Sequence, residues 1–215
     1  MIHICRIIMS KFTKNVVRFW NNYNDRIMLV LFLVQLIAGY NIIQKYFPVG
    51  HVLKISFIDN HVPYMPVFAL AYLCYTLILF LPFLFVFTNK KQLFAVSTAF
   101  FSVATICNIC YISFQTMMIR PEIIPSGFFD RLVMFIYSID KPVNLVPSEH
   151  VAFPVLTTLC LCHIKKKSWY ILLPITILII LSTLFIKQHY ILDVLAGIVV
   201  AGIGYLIFKK IMNSK

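Results

Sequence analysis

Long apolar stretches alternate with short polar connections along the whole chain. Apolar runs that are long enough, or nearly long enough, to cross a bilayer cover residues 27–46, 66–87, 93–119, 150–164, 169–186 and 190–208. A helix needs about 20 residues to cross a hydrocarbon core about 30 Å thick, because each residue advances the helix by about 1.5 Å. The pattern therefore predicts an all-α polytopic membrane protein with six transmembrane helices.

Two amphipathic segments lie outside these runs. In residues 1–25, apolar side chains recur every four positions while basic ones share another face, which predicts a basic amphipathic helix on the membrane surface. The alternative for this segment is a frayed basic tail. In the connection between the third and fourth runs, apolar residues follow Ser126 at helical spacing, so we expect a short interfacial helix with Ser126 as its N-cap. Residues 26–215 then form the membrane domain.

Composition and charge narrow the class of protein. The chain is 61% hydrophobic with a mean hydropathy of +0.90, and only 12% of its residues are charged. This composition excludes an ordinary soluble domain and predicts that the chain is surrounded by membrane lipids. A net charge of +12 is compatible with nucleic-acid binding. The basic residues, however, do not form a soluble patch with interleaved aromatic side chains, so we expect no nucleic-acid partner.

The basic residues instead indicate the orientation in the membrane. In a six-helix arrangement, 13 of the 19 Lys and Arg residues fall on one side, which the positive-inside tendency makes cytoplasmic together with both termini. The other side receives His150, His189 and Asp193, and we expect a plasma or bacterial inner membrane. The 13 residues are Arg6, Lys11, Lys14, Arg18, Arg26, Lys90, Lys91, Lys165, Lys166, Lys167, Lys209, Lys210 and Lys215.

Polar groups interrupt the apolar pattern near the last run. His189 and Asp193 are four residues apart, so a helix that begins near His189 places both on one face. The carboxylate then holds one imidazole N–H and makes the other nitrogen more basic, as a nucleophile or general base requires. His150 is the best candidate for a second histidine. Because the run that it begins is short, we expect His150 to lie below the outer surface, at hydrocarbon or glycerol depth, where a lipid headgroup can reach it.

Three motifs resemble those of a known family. They are Arg120-Pro121, Pro147-Ser148-Glu149-His150 and Ser182-x6-His189-x3-Asp193. Together they resemble the three-part signature of the type 2 phosphatidic acid phosphatase superfamily, which includes vanadium haloperoxidases. The resemblance implies a lipid phosphate substrate, a phosphohistidine intermediate and a mechanism without metal or other cofactor.

The resemblance also implies roles for individual residues. His189 is the nucleophile, Asp193 orients it, and His150 is the general acid for the leaving alkoxide. Arg120 and the region of Ser148 hold the phosphoryl oxygens, since Arg is suited to bidentate contact with them.

The chain departs from the family pattern at three positions. Ser113, Glu149 and Thr183 stand where the family usually has Lys, Gly and Arg, so two expected cations are missing. Lys187, two residues before the nucleophile, is the candidate replacement. Arg131 and Lys141 are weaker candidates.

A finer resemblance leaves the reaction type open. Asp140-x-Pro142-x-Asn144 ahead of the second motif, with Lys187-Gln188-His189-Tyr190, is more similar to the branch that contains inositol phosphorylceramide synthases. That branch includes phosphotransferases, which pass the phospho-headgroup to a lipid or polyol acceptor. We expect hydrolysis as the default, because a pocket that opens to the outer aqueous phase admits water.

The same residues allow other interpretations. His150 could be a helix-end histidine bonded to the backbone, and Asp193 a hydrogen-bond partner of a neighbouring helix; the ordered set of three on one side favours a site. Two His and one Asp could bind zinc, but the nearby Lys and Arg would repel it. A transporter is the alternative from another class, since intramembrane His and Asp can relay protons. The clustering of the polar groups at the outer ends of the runs favours the enzyme.

Overall fold

The structure, a computed structural model, consists of α-helices joined by loops. It describes the backbone of residues 2–214 and side chains from residue 13 onward apart from Asn15. The helices are α1 (Ile2–Val34), α2 (Tyr40–Tyr46), α3 (Ser56–Asp59), α4 (Ala69–Val86), α5 (Lys90–Ser113), α6 (Phe128–Ile139), α7 (Glu149–Ile164), α8 (Trp169–Phe185) and α9 (Ile191–Asn213). Between residues 2 and 214 there is no β-strand. The predicted all-α fold is confirmed.

The apolar helices make this a multi-pass membrane protein. Within the described chain, five helical segments are long and apolar enough to cross a bilayer: Val16–Tyr46, Pro66–Val86, Lys90–Ser113, Lys166–Phe185 and Ile191–Asn213. The remaining predicted span is α7, a shorter apolar helix of 16 residues. At about 1.5 Å per residue, α7 is shorter than a typical hydrocarbon core. The count of six spans therefore stays a prediction.

The N-terminal segment continues into the first span. Residues 2–34 form one helix, and a π-helical turn at Gln35–Gly39 connects it to α2 without an intervening loop. The first candidate span thus begins at Val16, earlier than the apolar run suggested. The surface position of residues 1–25 stays a prediction, and most of the side chains that would form its apolar stripe lie outside the described part of the chain.

The short helix in the connection between α5 and α7 is present as α6. The prediction of Ser126 as its N-cap is wrong, because the cap position is Gly127 and the helix begins at Phe128. Asp130, in the first turn, instead accepts hydrogen bonds from the Ser126 backbone N–H at 3.1 Å and from the Ser126 hydroxyl at 2.7 Å. Ser126 therefore donates to a side chain in the first turn and does not cap the helix, which begins two residues after it, at Phe128.

Close packing of α9 against α5 and α7 fixes the position of the last two motifs. A Cβ on Gly204 would lie 2.6 Å from Val103 Cγ2, and a Cβ on Gly197 would lie 2.7 Å from the Ser148 carbonyl oxygen. Small residues allow helices to approach this closely in a membrane. Gly197 thereby brings the start of α9, with Asp193, against the start of α7, where the Ser148 N–H donates to the Asp193 carbonyl at 3.1 Å.

Opposite ends of the helix bundle carry different side chains. At one end, Lys90 Nζ donates to the Asn21 carbonyl and Lys91 Nζ to the Ser214 carbonyl, which joins α1, α5 and the end of α9. The other end contains α6, the start of α7, the α8–α9 connection and residues 47–65. The predicted site residues all belong to this second end.

Candidate active site

The structure brings His189 and Asp193 together, but not on one helical face, because His189 lies two residues before α9 begins at Ile191. His189 Nδ1 lies 3.2 Å from Asp193 Oδ2, and both side chains are buried. The same oxygen accepts a hydrogen bond of 2.8 Å from the Tyr190 backbone N–H, which caps α9. Since the carboxylate accepts from Nδ1–H, the lone pair of His189 lies on Nε2. That nitrogen therefore has the free electron pair of the ring.

His150, at the start of α7, faces this nitrogen. Its Nδ1 lies 3.5 Å from His189 Nε2, and the ring centroids are 5.7 Å apart. The two histidines are 39 residues apart in sequence and meet because the start of α7 packs on the start of α9. Apo sites often have long contacts of this kind, which tighten when substrate binds. A phosphoryl group at His189 Nε2 would lie within reach of His150 Nδ1.

A tyrosine and a carboxylate hold the other side of His150. The Tyr72 hydroxyl donates to Asp140 Oδ2 at 2.5 Å and lies 2.8 Å from His150 Nε2. Because that hydroxyl has one proton and gives it to Asp140, it accepts from His150 Nε2–H. The direct distance from His150 Nε2 to Asp140 Oδ2 is 3.8 Å. The relay of Asp140, Tyr72 and His150 thus stabilises a protonated His150 and directs Nδ1 towards His189.

Tyr40 is the second tyrosine that donates a hydrogen bond to Asp140. Its hydroxyl donates to Asp140 Oδ1 at 2.6 Å, so each carboxylate oxygen has a tyrosine donor. Burial alone would raise the pKa of Asp140, but the charge of His150 and the two hydroxyls outweigh it and hold this pKa below its ordinary value. Sequence reasoning missed Tyr40 and Tyr72 as functional residues. Tyrosines near the ends of membrane spans are ordinary, so their positions gave no distinguishing signal.

Arg120 is held at the edge of the site by backbone and side-chain acceptors. Its guanidinium donates to the carbonyls of Tyr137 at 3.2 Å and Asp140 at 2.7 Å and to the side chain of Gln188, and it lies over the Tyr137 ring at 4.2 Å. Burial lowers the pKa of Arg120, which the charge of Asp140 opposes. The guanidinium lines the same cleft as His189, but several of its donors are already used by the protein, and its contact with phosphate stays a prediction.

Ser148 does not line the cleft that Arg120 and His189 share. It is fully buried, and its hydroxyl has no hydrogen-bond partner in the part of the chain that the structure describes. Its backbone contributes instead, because the Ser148 N–H and carbonyl hold the start of α9 and the first turn of α7. The predicted contact of the Ser148 side chain with phosphate stays a prediction.

Lys187 lines a polar cleft next to His189. This cleft of about 260 Å³ also contains Lys54, Arg120 and Asp59, and we call it the cationic cleft. The Lys187 backbone has a φ of 56°, a left-handed conformation, and its Nζ donates to the Val62 carbonyl at 2.5 Å. Burial lowers the pKa of Lys187, and the charge of Asp59 opposes this. The backbone turn directs the side chain into the cleft.

Lys54 is a cation that the sequence did not single out. It belongs to residues 47–65, which connect the first two apolar runs. Asp59 anchors this segment, because its carboxylate accepts from the Ile191 N–H at 3.0 Å and from the Ile55 N–H at 2.7 Å. The segment therefore packs on the start of α9. Of the weaker candidates, Arg131 is exposed on α6, and Lys141 lines a narrow gap of about 10 Å³ between His150 and His189.

A second cleft lies on the opposite side of His150. It measures about 290 Å³, and we call it the tyrosine cleft. Its lining combines aliphatic and polar side chains. The aliphatic ones are Leu36, Leu73, Leu79, Ile136 and Ile139, and the polar ones are Tyr40, Tyr72, Tyr75, Thr76, Asp140, Glu149 and His150. No cluster of three or more His, Cys, Asp or Glu side chains suited to a metal ion occurs among the residues described.

Comparison with known proteins identifies the family. Residues 92–215, more than half of the chain, match the family model described as the PAP2 superfamily. This stretch contains His150, His189 and Asp193 together with Arg120 and Lys187. Searches of curated proteins and of solved structures gave no significant match.

Proposed function

The chain belongs to the PAP2 superfamily, and from this premise we propose that it hydrolyses a phosphoric ester of a membrane lipid through a phosphohistidine on His189. Membership suggests a membrane phosphatase or phosphotransferase acting on lipid phosphates. The observation that carries the finer proposal is the pairing of His189 Nε2 with His150 Nδ1 at 3.5 Å, each ring held from behind by a carboxylate.

In the first step His189 attacks phosphorus. The Nε2 lone pair forms the P–N bond while the bond from phosphorus to the lipid oxygen breaks, and protonated His150 gives its Nδ1 proton to the leaving alkoxide. Asp193 stabilises the positive charge that develops on the His189 ring. The products of this step are a lipid alcohol, a phosphohistidine and neutral His150.

In the second step water replaces the histidine. His150 Nδ1 takes a proton from the water as its oxygen bonds to phosphorus, and the P–N bond breaks. His189 leaves with its electron pair, so both histidines return to their starting states and phosphate is released. The relay of Tyr72 and Asp140 supports His150 in both directions, because it stabilises the imidazolium form.

The cationic cleft provides the charge that phosphoryl transfer requires. Phosphoryl transfer depends mainly on positioning and on positive charge around the equatorial oxygens. We propose that Lys187 and Arg120 supply this charge in place of the missing motif cations and that the Ser148 region contributes donors. With these cations present, the reaction needs no metal ion.

We propose that the site faces the extracytoplasmic side, with both termini cytoplasmic. The support is the clustering of basic residues at the opposite end of the bundle, where Lys90 and Lys91 lie. A cysteine introduced at Glu122 should react with an impermeant thiol reagent on intact cells, and one at Lys166 should not. The reverse labelling pattern would contradict the orientation.

Phosphotransfer to a lipid or polyol is the second candidate. It is favoured by Asp140, one of the residues in the finer resemblance, which reaches His150 through Tyr72. Both reactions share the phosphohistidine and differ in the acceptor.

One labelling experiment tests the intermediate and the acceptor together. Purified protein is mixed with phosphorus-labelled lipid phosphate and quenched in alkali, where phosphohistidine survives. We expect label on the wild-type chain, none on His189→Ala, and free phosphate as the main product with or without added diacylglycerol or ceramide. Label that stays on His189→Ala would contradict the nucleophile, and label that accumulates in a new lipid would replace hydrolysis by transfer.

A further inference from the structure

We propose that the side-chain amides of Gln188 and Asn144 bind one phosphoryl oxygen of the substrate at the histidine pair. This inference rests on the proposed function, because it assigns two further contacts to the reacting phosphoryl group. Both residues line the narrow gap between His150 and His189. The gap of about 10 Å³ has room for about one water-sized group, so it fits a single oxygen atom and no larger part of a lipid.

The first observation is a buried N–H donor on Gln188 that lacks an acceptor. Gln188 is 1% exposed and directly precedes His189. The Arg120 guanidinium donates to Gln188 Oε1, and because a guanidinium cannot accept, this contact fixes which end of the amide is oxygen. The other end, Nε2, has no hydrogen-bond partner among the residues that the structure describes. A buried donor without a partner costs free energy, and an oxygen atom in the gap removes that cost.

The second observation is an equivalent donor on Asn144. Gln115 Oε1 accepts from the backbone N–H groups of Thr116 and Asn144, both at 3.0 Å, so Gln115 Nε2 is the donor end of that amide. Gln115 Nε2 donates to Asn144 Oδ1 at 2.5 Å, which leaves Asn144 Nδ2 as the free end. Asn144 is 3% exposed, and its Nδ2 meets no acceptor in the described part of the chain. Two unpaired donors therefore belong to residues that line one gap.

The surrounding backbone holds both amides in place. The Gln188 N–H donates to the Thr183 carbonyl at 2.9 Å, within the connection that precedes α9. Asn144 has a φ of 60°, a left-handed conformation that asparagine adopts more readily than most residues, and its N–H is fixed by Gln115. Preorganised donors of this kind stabilise a transition state because they need not reorient as charge develops.

The charges that line the gap permit a negatively charged oxygen. Asp140 lines it too, but each of its oxygens already accepts from a tyrosine hydroxyl, and the positive charges of Lys141 and protonated His150 offset its own. Burial without a hydrogen-bond partner favours the neutral form of Glu149. The two amides can therefore supply donors in place of the two motif cations that the chain lacks.

An equatorial phosphoryl oxygen fits these donors better than the attacking water does. The water of the second step must give a proton to His150 and lie opposite His189, in line with the P–N bond. The equatorial oxygens lie beside that line and carry the negative charge of the transition state. Because they accept hydrogen bonds and have none to donate, two amide N–H groups match one of them.

An isosteric acid at Gln188 separates this role from a structural one. Gln188→Glu keeps an oxygen that accepts from Arg120 but replaces the free N–H donor by a carboxylate oxygen, whereas Gln188→Met removes both. We expect Gln188→Glu to lower kcat by about 100-fold, and at least as far as Gln188→Met does, because loss of one oxyanion donor costs about that much. Initial rates of phosphate release measure both. A structural amide predicts the reverse order, with Gln188→Glu close to wild type, and that order would overturn the inference.

Asn144→Asp is an independent test if the Gln188 variants fold poorly. It keeps the acceptor for Gln115 and suits the left-handed backbone, so the thermal midpoint in detergent should change little, while kcat should fall by about tenfold or more. Asn89→Asp is the matched control, because the Asn89 oxygen also accepts an N–H, from Gln92 at 3.0 Å, at the other end of the bundle. This control should turn over as wild type does. Wild-type turnover in Asn144→Asp would remove Asn144 from the site.

Binding of inorganic phosphate separates this inference from the proposed function, because it requires neither lipid nor turnover. Wild type and Asn89→Asp should bind phosphate several-fold more tightly than Gln188→Glu does. Equal affinities would overturn the inference even if the wild-type enzyme hydrolyses lipid phosphates. Weaker binding by Gln188→Glu, in a protein whose wild type turns over no lipid phosphate, would instead contradict the proposed function and leave the oxygen site standing.

Discussion

The cationic cleft and the tyrosine cleft flank the same histidine pair but are built in different ways. The cationic cleft takes Lys54 and Lys187 from loops, on long side chains that end near backbone carbonyls or open space. The tyrosine cleft takes Tyr40, Tyr72 and Glu149 from helices, where Asp140 fixes two of the rings. The cationic cleft can therefore adapt to a changing phosphoryl group, whereas the tyrosine cleft presents fixed surfaces.

In the proposed mechanism, the reacting atoms lie at the boundary between the two clefts. His189 borders the cationic cleft, and His150 borders the tyrosine cleft. A nucleophile is most useful beside the charges that stabilise phosphoryl oxygens, and a proton donor beside a carboxylate whose charge favours its protonated form. The four predictions below disrupt the boundary or one of its sides.

The largest effect on turnover is expected from Asp193→Asn, which disrupts the histidine pair at the boundary between the two clefts. Turnover should fall by about 10⁴-fold, because an amide neither fixes the Nδ1–H tautomer of His189 nor stabilises its positive charge. The initial rate of phosphate release measures this. An amide oxygen can still accept from the Tyr190 N–H, so the thermal midpoint in detergent should change little.

Asp130→Asn is the matched control for that change. Asp130 also accepts a backbone N–H near a helix start but lies outside the site, so this variant should keep its turnover. A loss of less than tenfold in Asp193→Asn would contradict the role given to the carboxylate.

Lys187→Met disrupts the cationic cleft alone. One preorganised charge at the developing phosphoryl oxygens is worth a factor of about 100 in turnover, and Lys187→Arg should retain more activity than Lys187→Met. Hydrolysis and any transfer should slow equally, since both pass through the same intermediate. Product analysis with labelled lipid measures both rates, with Lys167→Met at the opposite end as the control. Normal turnover in Lys187→Met would show that other cations suffice.

Tyr72→Phe disrupts the other side by removing the hydroxyl between His150 and Asp140. Turnover should fall by about tenfold, because His150 loses a hydrogen-bond partner and Asp140 loses one of its two tyrosine donors. Single-turnover kinetics would separate this loss from changes in product release. Tyr170→Phe, at a surface position that is 68% exposed, should behave as wild type. An unaltered rate in Tyr72→Phe would mean that Asp140 acts on His150 directly.

The smallest effect is expected on stability, from Gly197→Ala. Its new Cβ would lie 2.7 Å from the Ser148 carbonyl oxygen, so α7 and α9 must separate, at a cost of about 1–3 kcal/mol. Gly202→Ala is on the same helix, and its Cβ would meet no described atom within 4 Å, so that change should be neutral or stabilising. Thermal midpoints in detergent distinguish the two. Equal midpoints would indicate that the contact relaxes without cost.

The sequence by itself determined the features that depend on local spacing and composition. Apolar runs predicted membrane helices because the hydrocarbon core requires length and hydrophobicity, and five of them are long enough. The pairing of His189 with Asp193 was predicted from their spacing, but His189 lies before α9, and the Asp193 side chain reaches back to it from the first turn of that helix. The family followed from motifs that lie close together in the chain.

Only the tertiary structure decided which distant side chains complete the site. Tyr40 and Tyr72 reach Asp140 across separations of 100 and 68 residues, and Lys54 reaches the cationic cleft because Asp59 fixes its loop on α9. Such contacts depend on how helices pack, and packing depends on volumes and close approaches such as that at Gly197, which no local pattern encodes. A tyrosine that ends a span and one that holds a catalytic carboxylate therefore look alike until the helices are assembled.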